Sequence, residues 1–217
     1  MIQSILLIGL GRFGRYTAKK LNDLNQEVMA VDKNEERVNK VLNYVTNAQI
    51  GDSTNLDFME SLGVRNFDVC IVAIGDDFLS SLETTALLKE LGAKKVISRA
   101  TGKSQEKFLL RNGADEVVFP ERQLAIWTAI HCSSMSVANY IELSDGYSIF
   151  EIKTPSSWYG KTLFSLNVRR ALGINILGIK KNGVLDMQVT ADTVLGEDTV
   201  LLALGREEDL KRIMKLD

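Results

Sequence analysis

The chain has 217 residues, 45% of them hydrophobic and 25% charged, with a formal net charge of −2 and a pI near 5.6. This is a globular composition, long enough for one large domain or two small ones. The charge balance excludes non-specific binding to nucleic acid or to an anionic membrane surface, and no apolar run reaches the roughly 18 residues of a membrane span.

Met1-Ile2-Gln3 leads straight into an apolar strand at 5–8, with no basic leader region ahead of it. The strand runs into Gly9-Leu10-Gly11-Arg12-Phe13-Gly14, and a helical pattern follows over 12–24. A second strand at 27–31 ends in Asp32, about twenty residues past the glycines. This is a dinucleotide-binding fingerprint in its proper setting. Gly9 allows a tight turn, Gly11 lets backbone approach a pyrophosphate, and Gly14 lets the helix pack close to the strand. The helix N-terminus offers free N–H groups and partial positive charge to phosphates. Asp32 accepts hydrogen bonds from a ribose diol and repels a 2′-phosphate. The expected ligand is therefore NAD(H) or an adenosine nucleotide such as ATP or ADP, not NADP.

Further apolar runs lie near 45–50, 68–74, 95–98 and 116–119, with helical patterns at 34–43, 55–62, 78–91 and 103–112. Strands alternating with helices predict an α/β fold with a doubly wound, parallel, Rossmann-type sheet. Gly92 and Gly113 follow helical runs, as helix-ending glycines do, and Ser53-Thr54-Asn55 offers caps for the third helix. Cys70 falls in a buried strand and Cys132 in a helix, so no disulfide framework is expected. The expected compartment is reducing, the cytoplasm.

After Pro120 the pattern predicts a long helix over 121–140. Its apolar residues (Leu124, Ile126, Trp127, Ile130, Val137, Ile141) spread around much of the circumference. Either a last covering helix or a crossover helix between lobes or subunits has this pattern. Beyond Asp145-Gly146 come short strands at 148–153, 174–180, 184–189 and 199–204 and a terminal helix over 206–215. Lys181-Asn182-Gly183 marks a hairpin. The expected organisation is a nucleotide-binding lobe over 1–138 and a smaller α+β lobe over 139–217. The smaller lobe is marginal alone and gains stability from a partner or copy.

Across nearly its full length the chain resembles the regulator-of-potassium-conductance (RCK) proteins. These form the cytosolic gating subunits of bacterial Ktr/Trk potassium transporters, the KtrA/TrkA type. The resemblance rests on the glycine fingerprint, Val31-Asp32, Leu62-Gly63-Val64-Arg65-Asn66-Phe67-Asp68, Val72-Ala73-Ile74-Gly75, Gly113-Ala114-Asp115, Pro120-Glu121 and Leu166-Asn167-Val168-Arg169. It implies dimers assembled into a ring beneath a separate membrane subunit that translocates potassium. No nucleic acid and no direct membrane insertion are expected, and membrane proximity comes through the partner. The implied cofactor-binding set is Gly9, Gly11, Arg12, Phe13, Gly14, Asp32, Lys33, Asp52, Ser53, Ala73, Ile74, Gly75 and Arg99. Arg12 is the residue that reaches phosphates, often those on a neighbouring subunit. Glu121 matches a carboxylate that binds a cation near the dimer interface; a plain helix-N-terminal acid is the alternative. Asp76-Asp77 departs from the family, which often has asparagine or alanine there, and Arg99 stands where lysine is frequent. In the second lobe Leu163, Phe164, Asn167, Arg169, Asn175 and Ile176 keep the spacing of a cyclic di-AMP site, with Asn167 in the acid position and Phe164 in place of the usual aliphatic residue; ordinary core packing plus a surface arginine is the alternative.

The competing class is a small NAD-dependent oxidoreductase, or a redox sensor reading NADH/NAD⁺. Hydride transfer needs an acid or base near the carbonyl. The one histidine, His131, sits among apolar residues in a helix. Tyr16 and Lys20 have a dehydrogenase spacing but lie beside the phosphate loop, and the chain shows no metal-ligand cluster and no basic recognition helix. The expectation is a regulator with no catalytic residues.

Overall fold

The computed structural model describes residues 2–133 and 137–216. Its contacts divide into two compact units, Met1–Glu121 and Arg122–Asp217.

The first unit runs β1 (Ser4–Ile8), α1 (Arg12–Asp23), β2 (Glu27–Asp32), α2 (Glu35–Asn39), β3 (Asn47–Ile50), α3 (Leu56–Ser61), β4 (Val69–Val72), α4 (Phe78–Glu90), β5 (Val96–Arg99), α5 (Lys103–Arg111) and β6 (Glu116–Val118). The strands form one sheet in the order β3-β2-β1-β4-β5-β6, every pairing parallel. Side chains of β1 alternate between faces. Leu6 and Ile8 join a core with Cys70, Val72, Leu88 and Val96, while Ile5 and Leu7 join one with Ala18, Val28 and Ala30. A parallel sheet covered on both faces needs such continuous apolar strands. Each fully buried leucine or isoleucine contributes about 1.5–3 kcal/mol. The strand order reverses between β1 and β4, so a crevice opens at their carboxyl ends, where open α/β sheets take ligands.

Helix α6 (Pro120–Ser133) starts in the first unit and continues into the second, where Ile130 packs on the second core. The compact units therefore divide after Glu121, not after 138. The predicted helix over 121–140 is also too long. Residues 134–136 lie outside the described residues, and 137–142 form β7 (Val137–Glu142). Val137 and Ile141 are four apart, which suits a helix face. In the structure they pair instead with Ile152 and Ile149 of β8 (Tyr147–Lys153), where β-branched side chains fit the pleat.

The second unit continues with α7 (Leu163–Leu166), α8 (Val168–Leu172), β9 (Asn175–Lys181), β10 (Val184–Asp186), β11 (Thr199–Arg206) and α9 (Glu207–Ile213). Its antiparallel sheet has the order β10-β9-β11-β8-β7. Phe150, Ile152, Leu201 and Ala203 alternate inward and meet Leu210 and Ile213 of α9. Asn182 and Gly183 both have positive φ, 50° and 82°, as a two-residue hairpin between Lys181 and Val184 requires. Strand β10 stops at Asp186 rather than 189, because the Asp186 carboxylate turns the chain by accepting from the Gln188 amide.

Candidate nucleotide site at the carboxyl end of the parallel sheet

The fingerprint glycines occupy the crevice between β1 and β4. Gly9 has φ +92°, and a side chain there would stand 3.0 Å from the Ile74 nitrogen. Its N–H donates to the Val31 carbonyl at 2.8 Å. Ala73, buried, donates its N–H to the Ile8 carbonyl, so Ala73-Ile74 forms the wall against which the loop is pressed. A side chain at Gly14 would collide with the Gly9 carbonyl, which fixes how closely α1 approaches the loop. Gly11 differs: nothing lies within 4 Å of where its side chain would begin. It is also the N-cap of α1, with no side-chain cap and no acidic residue in the first turn. The leading N–H groups of α1 thus face a cradle that fits a phosphate. Arg12, exposed at the first position of α1, makes no hydrogen bond or ion pair among the described residues and adds positive charge there.

Asp32 does more than its sequence position suggests. It is 6% exposed. Its Oδ2 accepts the Leu10 N–H at 2.6 Å, its Oδ1 accepts the Asn34 N–H at 2.9 Å, and Arg37 Nη1 lies 3.7 Å from Oδ2. The carboxylate therefore pins the glycine loop to the end of β2. Two oxygens offer about four acceptor positions, so ribose hydroxyls can still bind. Arg15 holds the same loop from the helix side, donating to the Leu10 carbonyl at 3.2 Å. Sequence reasoning missed Arg15, Asn34 and Arg37. The Asn34 side chain caps α2 by accepting from Arg37, a signal that was readable.

Lys33 and Asp52 are exposed beside the crevice. Asp52 Oδ1 accepts from the Thr54 amide and hydroxyl, and those bonds hold its carboxyl below the usual range. Asp77 caps α4 by accepting from the Ser80 amide and hydroxyl, which lowers its pKa likewise. That gives one of the two acids foreign to the family a local structural task. Asp76 is exposed. Asn55 caps α3, whereas Ser53 is buried with its hydroxyl on Thr84 at 2.7 Å.

On the far side, Arg99 leaves the end of β5. Its guanidinium lies over the Phe13 ring, 5.5 Å from the centroid, and fills the space beside Gly75. Its Nη2 hydrogen bonds to Glu121 Oε1. Among the described residues no group of three or more His, Cys, Asp or Glu could hold a metal ion.

The second-lobe residues are brought to one region but not buried together. Leu163 and Ile176 pack on the lobe core, while Phe164 is 78% exposed and Arg169 is exposed. Asn167 joins α7 to α8 at φ 45°, a left-handed conformation that asparagine tolerates because its short polar side chain can bond locally. Asn175 opens β9 and pairs with Leu204. Thr162 caps α7.

The residues considered for redox chemistry are not assembled. Tyr16 is 77% exposed on α1. His131 stacks on Trp127 with centroids 5.2 Å apart. Burial pushes the Cys70 thiol up to about 12, which keeps it protonated and inert. No helix among the described residues is long and apolar enough to cross a membrane.

Two family models match the chain, the TrkA-N domain over residues 5–120 and the TrkA-C domain over 147–216. Ktr system potassium uptake protein C of Bacillus subtilis (strain 168) is 39% identical over 215 residues, 99% of this chain and 97% of that protein. Ktr system potassium uptake protein A of the same organism is 39% identical over 206 residues, covering 95% and 93%. Among solved structures, the GsuK RCK domain superimposes over 100% of this chain and 48% of its own, with TM-score 0.69 at 19% identity. The GsuK channel bound to NAD gives TM-score 0.69 at 18% identity, covering 100% of this chain and 39% of that one. This chain thus spans half or less of those structures, and they establish its fold alone. A TrkA-N domain followed by a TrkA-C domain, matched almost end to end by the Ktr proteins, places the chain in the Ktr potassium uptake protein family.

Proposed function

We propose that this protein is the cytoplasmic regulatory subunit of a potassium uptake system. It binds an adenine nucleotide, ATP/ADP or NAD(H), and thereby controls flux through a separate membrane subunit. The observation that carries the reading is the open cradle at Gly11, set at an uncapped helix N-terminus with Arg12 beside it and the loop locked by Asp32. Two further findings support it: the Ktr relatives are potassium uptake proteins, and the GsuK channel, which shares the fold, has been solved bound to NAD.

The parts divide the work by chemistry. The N–H groups of α1 and the Arg12 guanidinium bind phosphates, Asp32 accepts from the ribose, and Ala73-Ile74-Gly75 lines the crevice wall. Lys33 and Asp52 stand at the outer rim. Bound nucleotide supplies only charge and shape, and the protein catalyses nothing. A ligand shifts a ring between two shapes only through different affinities for them, and about 1–3 kcal/mol is enough for a useful switch. Dimers and a higher ring are supported by α6, none of whose residues is fully buried among the described residues and which exposes Leu124 and Trp127. The exposed Phe164 and Arg169 are where cyclic di-AMP would be held between copies. A cation at Glu121 would have to share that carboxylate with Arg99 or displace it.

The test is potassium flux into vesicles holding the membrane subunit, with and without this protein and each nucleotide. Flux should depend on both. Indifferent flux, together with nucleotide-dependent oxidation of a metabolite by the purified chain, would favour the oxidoreductase reading.

A further inference from the structure

Arg99 is held by unlike groups on several sides, and one of its donors is left over. Its side chain is 15% exposed, its guanidinium stacks over Phe13 inside the glycine fingerprint, and Nη2 is bonded to Glu121. Its Nε is buried with no hydrogen-bond partner. A guanidinium carries donors in a fixed fork that suits carboxylate and phosphate equally. A buried donor without an acceptor is costly, and an acceptor brought to it would relieve that cost. Phe13 lies in the first turn of α1, directly after Arg12, so the stacked guanidinium rests on a side chain that belongs to that helix terminus.

We infer that Arg99 is contested by two anions, the Glu121 carboxylate and the phosphates of a bound nucleotide, so that Glu121 is a built-in competitor that tunes affinity for phosphate-bearing ligands. This rests on the nucleotide reading above. It gives Glu121 a task distinct from cation binding, since the carboxylate acts here as a weight on Arg99. Glu121 can yield its partner cheaply. It is 53% exposed and lies in the first turn of α6, where water and the helix terminus both stabilise an unpaired carboxylate. Because α6 continues into the second unit, the exchange alters charge at the root of the helix that joins the two units. Arg99 and Glu121 are positioning residues, acting on ligand affinity through each other.

The experiment is calorimetry on the full chain with ADP and with adenosine, in EDTA so that no divalent cation contributes. Glu121→Gln should tighten ADP binding by about two- to tenfold, the range expected for one partly exposed ion pair. Adenosine, which has no phosphate, should bind unchanged. In an Arg99→Met background the Glu121→Gln gain should vanish. In Arg99→Lys, which keeps the charge without the planar fork and guards against a folding failure of the methionine variant, the gain should shrink. An unchanged ADP affinity in Glu121→Gln would overturn the inference, as would a gain that survives intact in Arg99→Met, because that would be bulk charge and not competition. Failure of the unmutated protein to bind ADP, ATP, NADH or adenosine would overturn the nucleotide reading itself, a result distinguishable from the other two.

Discussion

The crevice of the first unit is framed by backbone and by buried side chains. Gly9 and Gly14 are pressed against neighbours, Asp32 is 6% exposed, and the loop is tied down by hydrogen bonds from both ends. The corresponding region of the second unit presents Phe164 at 78% exposure and Arg169 in solvent, with only Leu163 and Ile176 anchored in the core. A site built the first way has its frame packed within one chain. A site built the second way needs something laid against it, and its residues can change without disturbing the fold. Substitutions should therefore separate the two regions: at the packed positions of the first, binding and stability fall together, and in the second they come apart.

The largest effect should come at Gly14. Its side chain would run into the Gly9 carbonyl, with the Ala73 Cβ next, and neither is the end of a flexible side chain that could yield. Gly14→Ala should cost about 3 kcal/mol or more of stability in urea denaturation and abolish nucleotide binding. Gly11→Ala is the internal control. With open space at that position and φ −61°, it should shift stability by less than about 1 kcal/mol while weakening ADP far more than adenosine. Equal stability losses in the two variants would erase the distinction between a packing glycine and a cradle glycine.

Asp32→Asn ranks next. The amide replaces a charged acceptor that takes the Leu10 and Asn34 N–H groups, and one of its ends presents a donor to them. The expected loss is about 1.5–3 kcal/mol of stability, the range for hydrogen bonds to a charged group, together with weaker nucleotide binding. Affinity that falls with stability untouched would mean that Asp32 serves the ribose alone.

These contrasts bear on what a sequence can convey. The parallel sheet and the glycine loop were legible because strand period, turn glycines and the acid at the end of β2 all point one way. The fate of residues 137–142 was not. Val137, Tyr140 and Ile141 suit a helix face and a strand equally, and only pairing with β8 settles it. Short helices α7 and α8 fall below the length at which periodicity speaks. At the site, the fingerprint named the loop, yet the bonds that lock it were hidden. Nothing in the spacing says that Arg15 reaches the Leu10 carbonyl, or that Arg99 lies on Phe13 and Glu121, because those contacts are set by tertiary packing.

A smaller effect should appear at the opposite end of the parallel sheet. Asp68 clasps the starts of β1 and β4, accepting from Lys94 and from the Ser4 amide and hydroxyl. The Lys94 bond first, then the Ser4 bonds, pull its pKa from 3.8 down to about 2. A carboxyl with a depressed folded pKa contributes stability above its ordinary pKa and loses that contribution as pH falls through the folded value. The clasp should thus hold at pH 5 and weaken between about pH 4 and pH 2. Stability against pH in Asp68→Asn should be flatter than in the unmutated protein across that interval. Parallel curves would show that the clasp adds nothing, which the exposure of the pair makes a fair contest.

The smallest effect on folding, and the one that best isolates the second lobe, belongs to Phe164. An aromatic ring 78% exposed on a four-residue helix contributes little to the core beneath it, so Phe164→Ala should leave stability within about 0.5 kcal/mol. Its neighbour Leu163 packs on that core, and Leu163→Ala should cost more, about 1–2 kcal/mol for a half-buried leucine. A phenyl ring is nonetheless a large apolar surface to leave in water, and together with Arg169 it offers stacking and charge to an anionic base-bearing ligand or to a second copy. Phe164→Ala should therefore weaken cyclic di-AMP binding by calorimetry, or self-association by light scattering, while the first unit still binds its nucleotide with unchanged affinity. If Phe164→Ala leaves stability, cyclic di-AMP binding and oligomeric state all untouched, the ring is an ordinary exposed aromatic and the second lobe's function must lie on another face.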